Sequence, residues 1–312
     1  MSWILLVLFY GVVKGARDVI KKLALNKNTV MEVLFVYTFI AFLFCIPTAG
    51  EAFMPMPGKY FFLIFIKSLV IFFAWILSFK ALDNIPISVY GVIDLSRIIF
   101  STLFGLLVLK EGVTLNQTIG FVFIISGLLF LKIYPSLKAK KDGSFVKEEI
   151  STKYVVMVLI SCILNATSGC LDKLYMRDLN SSQLQFWYML YLTALYGLYF
   201  VIRRIKISST IWKNGYIWAM SILFFLGDKA LFIANENPSS KISIMTLLKQ
   251  SACIVSIFAG KIIFKEKNIG YKLFCAGIIV LGIFISVLRT IDLPDLNDIL
   301  NYAEDVLRFN LN

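Results

Sequence analysis

Apolar residues in this chain fall into ten runs, each separated from the next by charged residues, proline or glycine. The runs cover 3–22, 31–49, 59–81, 86–109, 114–134, 154–175, 184–202, 214–234, 240–263 and 268–288. A helix crossing the hydrocarbon core needs roughly twenty mainly apolar residues, and most of the runs come close to that length. In hydrocarbon the backbone must satisfy its N–H and C=O groups within its own segment, so the pattern predicts ten transmembrane helices. Pro47, Pro55, Pro57 with Gly58, Pro86, Pro135 and Pro238 fall at or between their ends, where proline costs a helix least.

The longest polar connection is 135–153, PSLKAKKDGSFVKEEISTK. It divides the chain into a first repeat, 1–134, and a second, 154–288, followed by an acidic tail, 289–312. Val108-Leu109-Lys110-Glu111 matches Ile263-Phe264-Lys265-Glu266 at an offset of 155. At that same offset of 155, Ser96 meets Ser251, Ser101 meets Ser256, Gly105 meets Gly260 and Gly127 meets Gly282. Lys22-Leu23 near the start of one half resembles Lys173-Leu174 in the other. Five helices per half is an odd number, so the second half enters the membrane from the opposite face. The expected fold is an all-α membrane protein built as an inverted five-plus-five repeat.

Composition agrees. Of 312 residues, 59% are hydrophobic and 16% charged, with mean hydropathy +0.82, where soluble domains sit nearer 45–50% apolar. The formal charge of +12 does not point to nucleic acid, because the basic residues lie in short loops and inside apolar runs. Histidine is absent, which removes the commonest proton shuttle and metal ligand. Cys45, Cys162, Cys170, Cys253 and Cys275 all lie in apolar segments with no CxxC pair, and are read as small packing residues. A signal peptide is not expected, since Met1-Ser2-Trp3 runs straight into apolar sequence.

The ends of the fourth and ninth helices read LFGLLVLKEGVTLNQTIGFVFIISGLL and IFAGKIIFKEKNIGYKLFCAGIIVLGI. Each has a small residue, an apolar run, a loop glutamate and a glycine-spaced helix. With the doubled five-helix layout, over nearly residues 1–290, the chain resembles the drug/metabolite transporter superfamily in its ten-helix EamA-like branch. That resemblance implies a transporter; members move amino acids, drugs, sugar derivatives and phosphorylated metabolites. This chain departs from the usual bacterial exporter in carrying many charges inside its spans.

Loops alternating from the N-terminus carry six basic residues on one side and sixteen on the other. The positive-inside rule makes the sixteen-residue side, including 135–153, cytoplasmic. The expected setting is a multi-pass protein of a bacterial plasma membrane. In the tail, Leu296, Ile299, Leu300, Ala303 and Leu307 give an apolar stripe for an accessory helix.

A charge at bilayer depth costs roughly 2.5–3.5 kcal/mol on insertion scales, so it faces a cavity or a partner. In the fourth span Tyr90, Asp94, Arg97 and Ser101 share one helical face. At the 155 offset Asp94 corresponds to Lys249, which shares a face with Cys253 and Ser256. These residues read as a substrate site near the midplane, or as a salt bridge of Asp94 with Arg97 or Lys249. In the first span Tyr10, Lys14, Arg17, Asp18 and Lys21 lie along one side. Lys21 is expected to snorkel to the interface, while Lys14 and Arg17 line the cavity or pair with Asp18. Opposite them the sixth span offers Asn165, Ser168, Gly169 and Asp172. Lys67 in the third span is another deep cation. Asp172, Asp228 and Glu236 are the candidates for proton coupling. Trp187, Tyr188, Tyr191 and Tyr199 are read as interface belt and lipid-facing bulk rather than a cation cage. Glu111 and Glu266 are read as loop caps, and Gly120, Gly127, Gly277 and Gly282 as points of close helix contact.

No Walker-type nucleotide motif and no nucleophile or metal cluster near the interface is found, so neither ATP-driven transport nor an enzyme is expected. The leading expectation is a secondary transporter, without cofactor, moving a small polar solute by alternating access. Deep cations outnumber deep carboxylates among the chosen residues, which favours an anionic or zwitterionic metabolite. A lipid-carrier flippase of the same fold, or an amino-acid or drug exporter, is the competing reading. The partners expected are the bilayer, the solute and possible coupling protons.

Overall fold

The computed structural model of the protein describes residues 2–26, 28–110, 114–141, 151–204, 206–249, 251–266 and 269–287. The tail 289–312, linker residues 142–150 and Glu111 lie outside the described residues.

Every regular element described is helical. The helices are α1 (Ser2–Leu25), α2 (Val30–Cys45), α3 (Ala49–Ala52), α4 (Lys59–Asn84), α5 (Ile87–Asp94), α6 (Arg97–Leu107) and α7 (Leu115–Lys141). They continue as α8 (Thr152–Tyr175), α9 (Ser181–Arg203), α10 (Gly215–Glu236), α11 (Ile242–Lys249), α12 (Ala252–Ile262) and α13 (Ile269–Val287). Local sequence explains several ends. Thr29 and Glu32 form a capping box that opens α2, and Asn180 with Gln183 does the same for α9. Pro47 ends α2 in a 3₁₀ turn over Ile46–Thr48, after which the span continues through α3.

Six of these segments are long and apolar enough to cross a membrane: Val30–Ala52, Lys59–Asn84, Ile87–Leu107, Thr152–Tyr175, Ser181–Arg203 and Gly215–Glu236. The apolar stretches Leu115–Gly127, Ala252–Ile262 and Ile269–Gly282 are shorter. Six is fewer than the ten read from hydropathy, and the charges of the first span account for part of the gap. Helix α1 has the length but carries Lys14, Arg17, Asp18, Lys21 and Lys22. The ninth predicted span is seen as α11 and α12, divided on either side of position 250, which lies outside the described residues.

The fourth predicted span is divided too, and the two divisions match. Ser96 N–H donates to the Ile93 carbonyl at 3.0 Å, and Ser251 N–H to the Leu248 carbonyl at 3.2 Å. Ile99 N–H donates to Ser96 O at 3.1 Å, and Ile254 N–H to Ser251 O at 3.1 Å. Each division is thus a tightened i to i+3 turn that leaves these backbone groups satisfied. Beyond the second halves of these helices, Lys110 and Lys265 both take the left-handed conformation, at φ 55 and 49.

Side-chain contacts set the helix pairing. Helix α7 packs on α13, α1 on α10, α4 on α8 and α2 on α9. A Cβ on Gly282 would lie 2.6 Å from the Gly120 carbonyl, so α7 and α13 touch backbone to backbone there. Gly277, expected at a similar contact, meets nothing within 4 Å. The largest apolar cluster joins α2, α4, α9 and α10 through Tyr37, Phe79, Tyr188, Tyr196 and Phe224. All five cysteines are buried, as packing residues should be.

Glu266 performs the capping expected of it. It accepts from Ile87 N–H at 2.7 Å, from Ser88 N–H at 3.4 Å and from the Ser88 hydroxyl. It thereby ties the start of α5 to the loop after α12, with Lys272 at 3.5 Å. Lys22 donates to the Ile85 carbonyl after α4. Its sequence mate Lys173 donates to Asn235 O in the last turn of α10 and to Asn237 O just after it, both at 3.0 Å, and to Ser240 Oγ at 2.6 Å.

Candidate functional site

A central cavity of about 100 Å³ lies where α1, α4, α8, α10 and the divided α5–α6 and α11–α12 segments converge. Its walls collect charge. Lys14, Arg17, Lys21, Lys67, Arg97 and Lys249 all line it, as do Asp18, Asp172 and Asp228. Such a density of ionic groups amid apolar helices persists only with partners.

The pairing connects distant elements. Lys14 on α1 reaches Asp94 Oδ2 at 2.6 Å, while Arg97 holds Asp94 Oδ1 at 2.6 Å. Asp94 therefore sits behind the cavity wall, neutralised from two sides. Arg17 faces Asp228 at 3.6 Å and lies 4.8 Å from the centre of the Phe224 ring. Lys21 holds Asp18 at 2.7 Å and stands over Phe79 at 4.5 Å. Lys67 is 1% exposed, 3.1 Å from Asp172 and 3.5 Å from the centre of the Tyr188 ring. Desolvated cations gain from such ring faces as well as from carboxylates.

Lys249 differs. It ends α11 at the division, and among the described residues its side chain makes no ion pair or hydrogen bond. Its ammonium stands over the face of Tyr10, 5.8 Å from the ring centre.

The structure therefore brings together Tyr10, Lys14, Arg17, Lys67, Tyr90, Arg97, Lys249, Asp172 and Asp228. It separates Glu236, which is exposed at the end of α10 and accepts from Ser181 N–H at 2.5 Å. That residue caps α9. Nearby, Lys229 donates to Ser181 Oγ at 3.2 Å and to Ser182, which in turn donates to Glu51. The anticipated Asp94–Lys249 bridge is absent, and of the partners considered for Asp94 only Arg97 holds it. Asp18 pairs with Lys21 rather than with Lys14 or Arg17.

Two further expectations are corrected. Lys21 is 7% exposed and lines the cavity instead of snorkelling, because Asp18 and two aromatic faces neutralise it in place. Tyr188 is buried beneath Lys67, not lipid-facing. Trp187 and Tyr191 instead pack in an outer aromatic cluster with Phe61 and Phe65. Sequence reasoning also missed Tyr37, whose ring stacks near Trp75 at 5.7 Å and Phe224 at 5.1 Å on the cavity wall. Its only signal was a polar atom in an otherwise apolar stretch.

No curated protein matches this sequence. A solved structure, described as the crystal structure of a protein, is similar with a TM-score of 0.63 and 13% identity, covering 89% of this chain and 96% of that one. At that identity the likeness is one of fold. Residues 1–133 match the EamA-like transporter family. Over those residues the chain is similar to the EamA-like transporter family, part of the drug/metabolite transporter superfamily.

Proposed function

We propose that this membrane transporter is a secondary carrier of a small polar, anionic or zwitterionic metabolite. Two inverted five-helix halves rock about the central cavity, exposing it to each side of the membrane in turn. The carrying observation is Lys249, a cation on the cavity wall without an ion-pair partner among the described residues. A half-buried charge of this kind, on a cavity wall between apolar helices, is costly unless a counter-charge arrives.

Repeat-related detail supports the inverted halves. Helices α5 and α11 each have 8 residues, α6 and α12 each have 11, and all four bounds differ by the same 155 positions. Helix α1 packs on α10 in the way that α8 packs on α4. Lys22 and Lys173 each grip the chain at the end of the third helix of their own half. We assign Lys249, Arg97, Lys14, Arg17, Lys67 and Tyr90 to substrate contact, with Asp94 positioning Lys14 and Arg97. Asp172 and Asp228, which hold their cations at 3.1 and 3.6 Å, are the groups assigned to proton exchange.

The test is counterflow in proteoliposomes preloaded with a mixture of organic acids and amino acids. Wild-type protein should accumulate labelled solute from that mixture. Lys249→Met should fold and insert but lose accumulation, since it removes a charge and strands no partner. Full transport by that variant, or restoration by adding Asp94→Asn, would overturn the reading.

A further inference from the structure

We infer that the cargo is a small organic dianion rich in oxygen acceptors, anchored by Lys249; this rests on the carrier reading above and narrows it. Six cations line the cavity, against the three carboxylates that also line it and Asp94 behind the wall. Two positive charges are left in excess. In a low-dielectric cavity between helices, such an excess is offset by the charge that enters with the cargo.

The distribution of partners argues against a zwitterion. Each of the four carboxylates already holds a cation: Asp94 two, and Asp18, Asp172 and Asp228 one each. An incoming ammonium would have to share Asp172 with Lys67, although Asp172 Oδ1 makes no hydrogen bond, or Asp228 with Arg17. An incoming anion displaces nothing, because Lys249 has no carboxylate to leave.

Hydrogen-bonding capacity points the same way. Arg97 Nε is buried without a hydrogen-bond partner, and Arg17 Nη1 makes no hydrogen bond, facing Asp228 only at 3.6 Å. Tyr10, Tyr37 and Tyr188 line the cavity and are buried, and among the described residues their hydroxyls make no hydrogen bond. By contrast Tyr90, on the same wall, shares a 2.6 Å hydrogen bond with Ser78. The spare groups are ammonium, guanidinium and phenol donors supplied by α1, α2, α6, α9 and α11. Donors of this kind suit clustered anionic oxygens, as in a dicarboxylate or a phosphate monoester.

The experiment measures binding to the purified full chain in nanodiscs. The probes are succinate, glycerol 3-phosphate, propionate and alanine, at a pH where the first two are doubly charged. At least one dianion should bind about tenfold or more tightly than propionate and alanine. Succinate alone would mark a dicarboxylate cargo, and glycerol 3-phosphate alone a phosphate ester. Lys249→Gln should weaken that dianion by about tenfold, and Lys249→Arg should retain it. The thermal midpoint without ligand should stay at the wild-type value in both variants, which separates lost binding from lost folding. Equal binding of propionate or alanine and the dianions overturns this inference and leaves the carrier of an anionic or zwitterionic solute standing. Binding of none of the four also overturns it, and counterflow then decides the reading beneath it.

Discussion

Lys14 and Asp94 lie 80 residues apart in sequence and 2.6 Å apart in space. The pair joins the first helix to the point where the fourth span is divided. Arg97, three residues after Asp94, takes the other carboxylate oxygen at 2.6 Å. One carboxylate thus holds two cations that would otherwise be buried without compensation.

Asp94→Asn removes the charge and keeps the shape. Lys14 and Arg97 would then be stranded in a water-poor site. Breaking a buried pair by removing one partner costs about 3–5 kcal/mol. Asp94→Asn should therefore lower the unfolding midpoint of the purified protein strongly, whereas Lys249→Met should not. Equal midpoints for the two variants would remove Asp94 from its positioning role.

These residues show how far the sequence could be read. The charged positions were visible because an ionic group inside an apolar run has few reasons to exist. The 155 offset was visible because the ends of the fourth and ninth helices repeat glycines, serines and the Lys-Glu step in register. Partner choice was not visible. Lys21 and Asp18 are three apart on one helix and can meet locally, but Lys14 with Asp94 and Lys67 with Asp172 require knowing which helices adjoin. Tyr188 was misjudged for a related reason. A tyrosine in a row of aromatics carries the same local signal whether its ring faces lipid or lies beneath a lysine.

The α7–α13 contact gives a test of packing away from the cavity. A Cβ on Gly282 would lie 2.6 Å from the Gly120 carbonyl and 2.8 Å from Phe123 Cβ, and neither backbone nor Cβ can swing aside. Gly282→Val should cost about 1–3 kcal/mol through overpacking. Gly277→Ala is the internal comparison, because nothing lies within 4 Å of that position. Measured by thermal unfolding, only the first should fall. A matching loss at Gly277 would mean that helix propensity or lipid contact, rather than this interface, governs both.

Orientation follows from the basic loops. The segment 135–153 lies on the side predicted to be cytoplasmic, and Ser209, exposed after α9, lies on that same side. Because all five native cysteines are buried, the wild-type chain should label weakly with an impermeant thiol reagent. Ser144→Cys and Ser209→Cys should stay unlabelled in intact cells and become labelled after permeabilisation. Strong labelling of both before permeabilisation would reverse the assignment.

Lys67 and Asp172 separate stability from transport. Lys67 is enclosed by Asp172 at 3.1 Å and by the Tyr188 face at 3.5 Å. Lys67→Met strands a buried carboxylate and should lower stability by about 3–5 kcal/mol. Adding Asp172→Asn removes the stranded charge and should recover most of that loss, leaving a deficit of roughly 2 kcal/mol from the missing cation–π contact. A double-mutant cycle on unfolding isolates the coupling, since the two residues touch. Transport should follow a different course. If Lys67 contacts the substrate and Asp172 exchanges protons, as proposed, the double variant should be stable and still fail in counterflow. If transport returned together with stability, the pair would be a structural bridge alone, and the substrate and proton roles would pass to the remaining charges of the cavity.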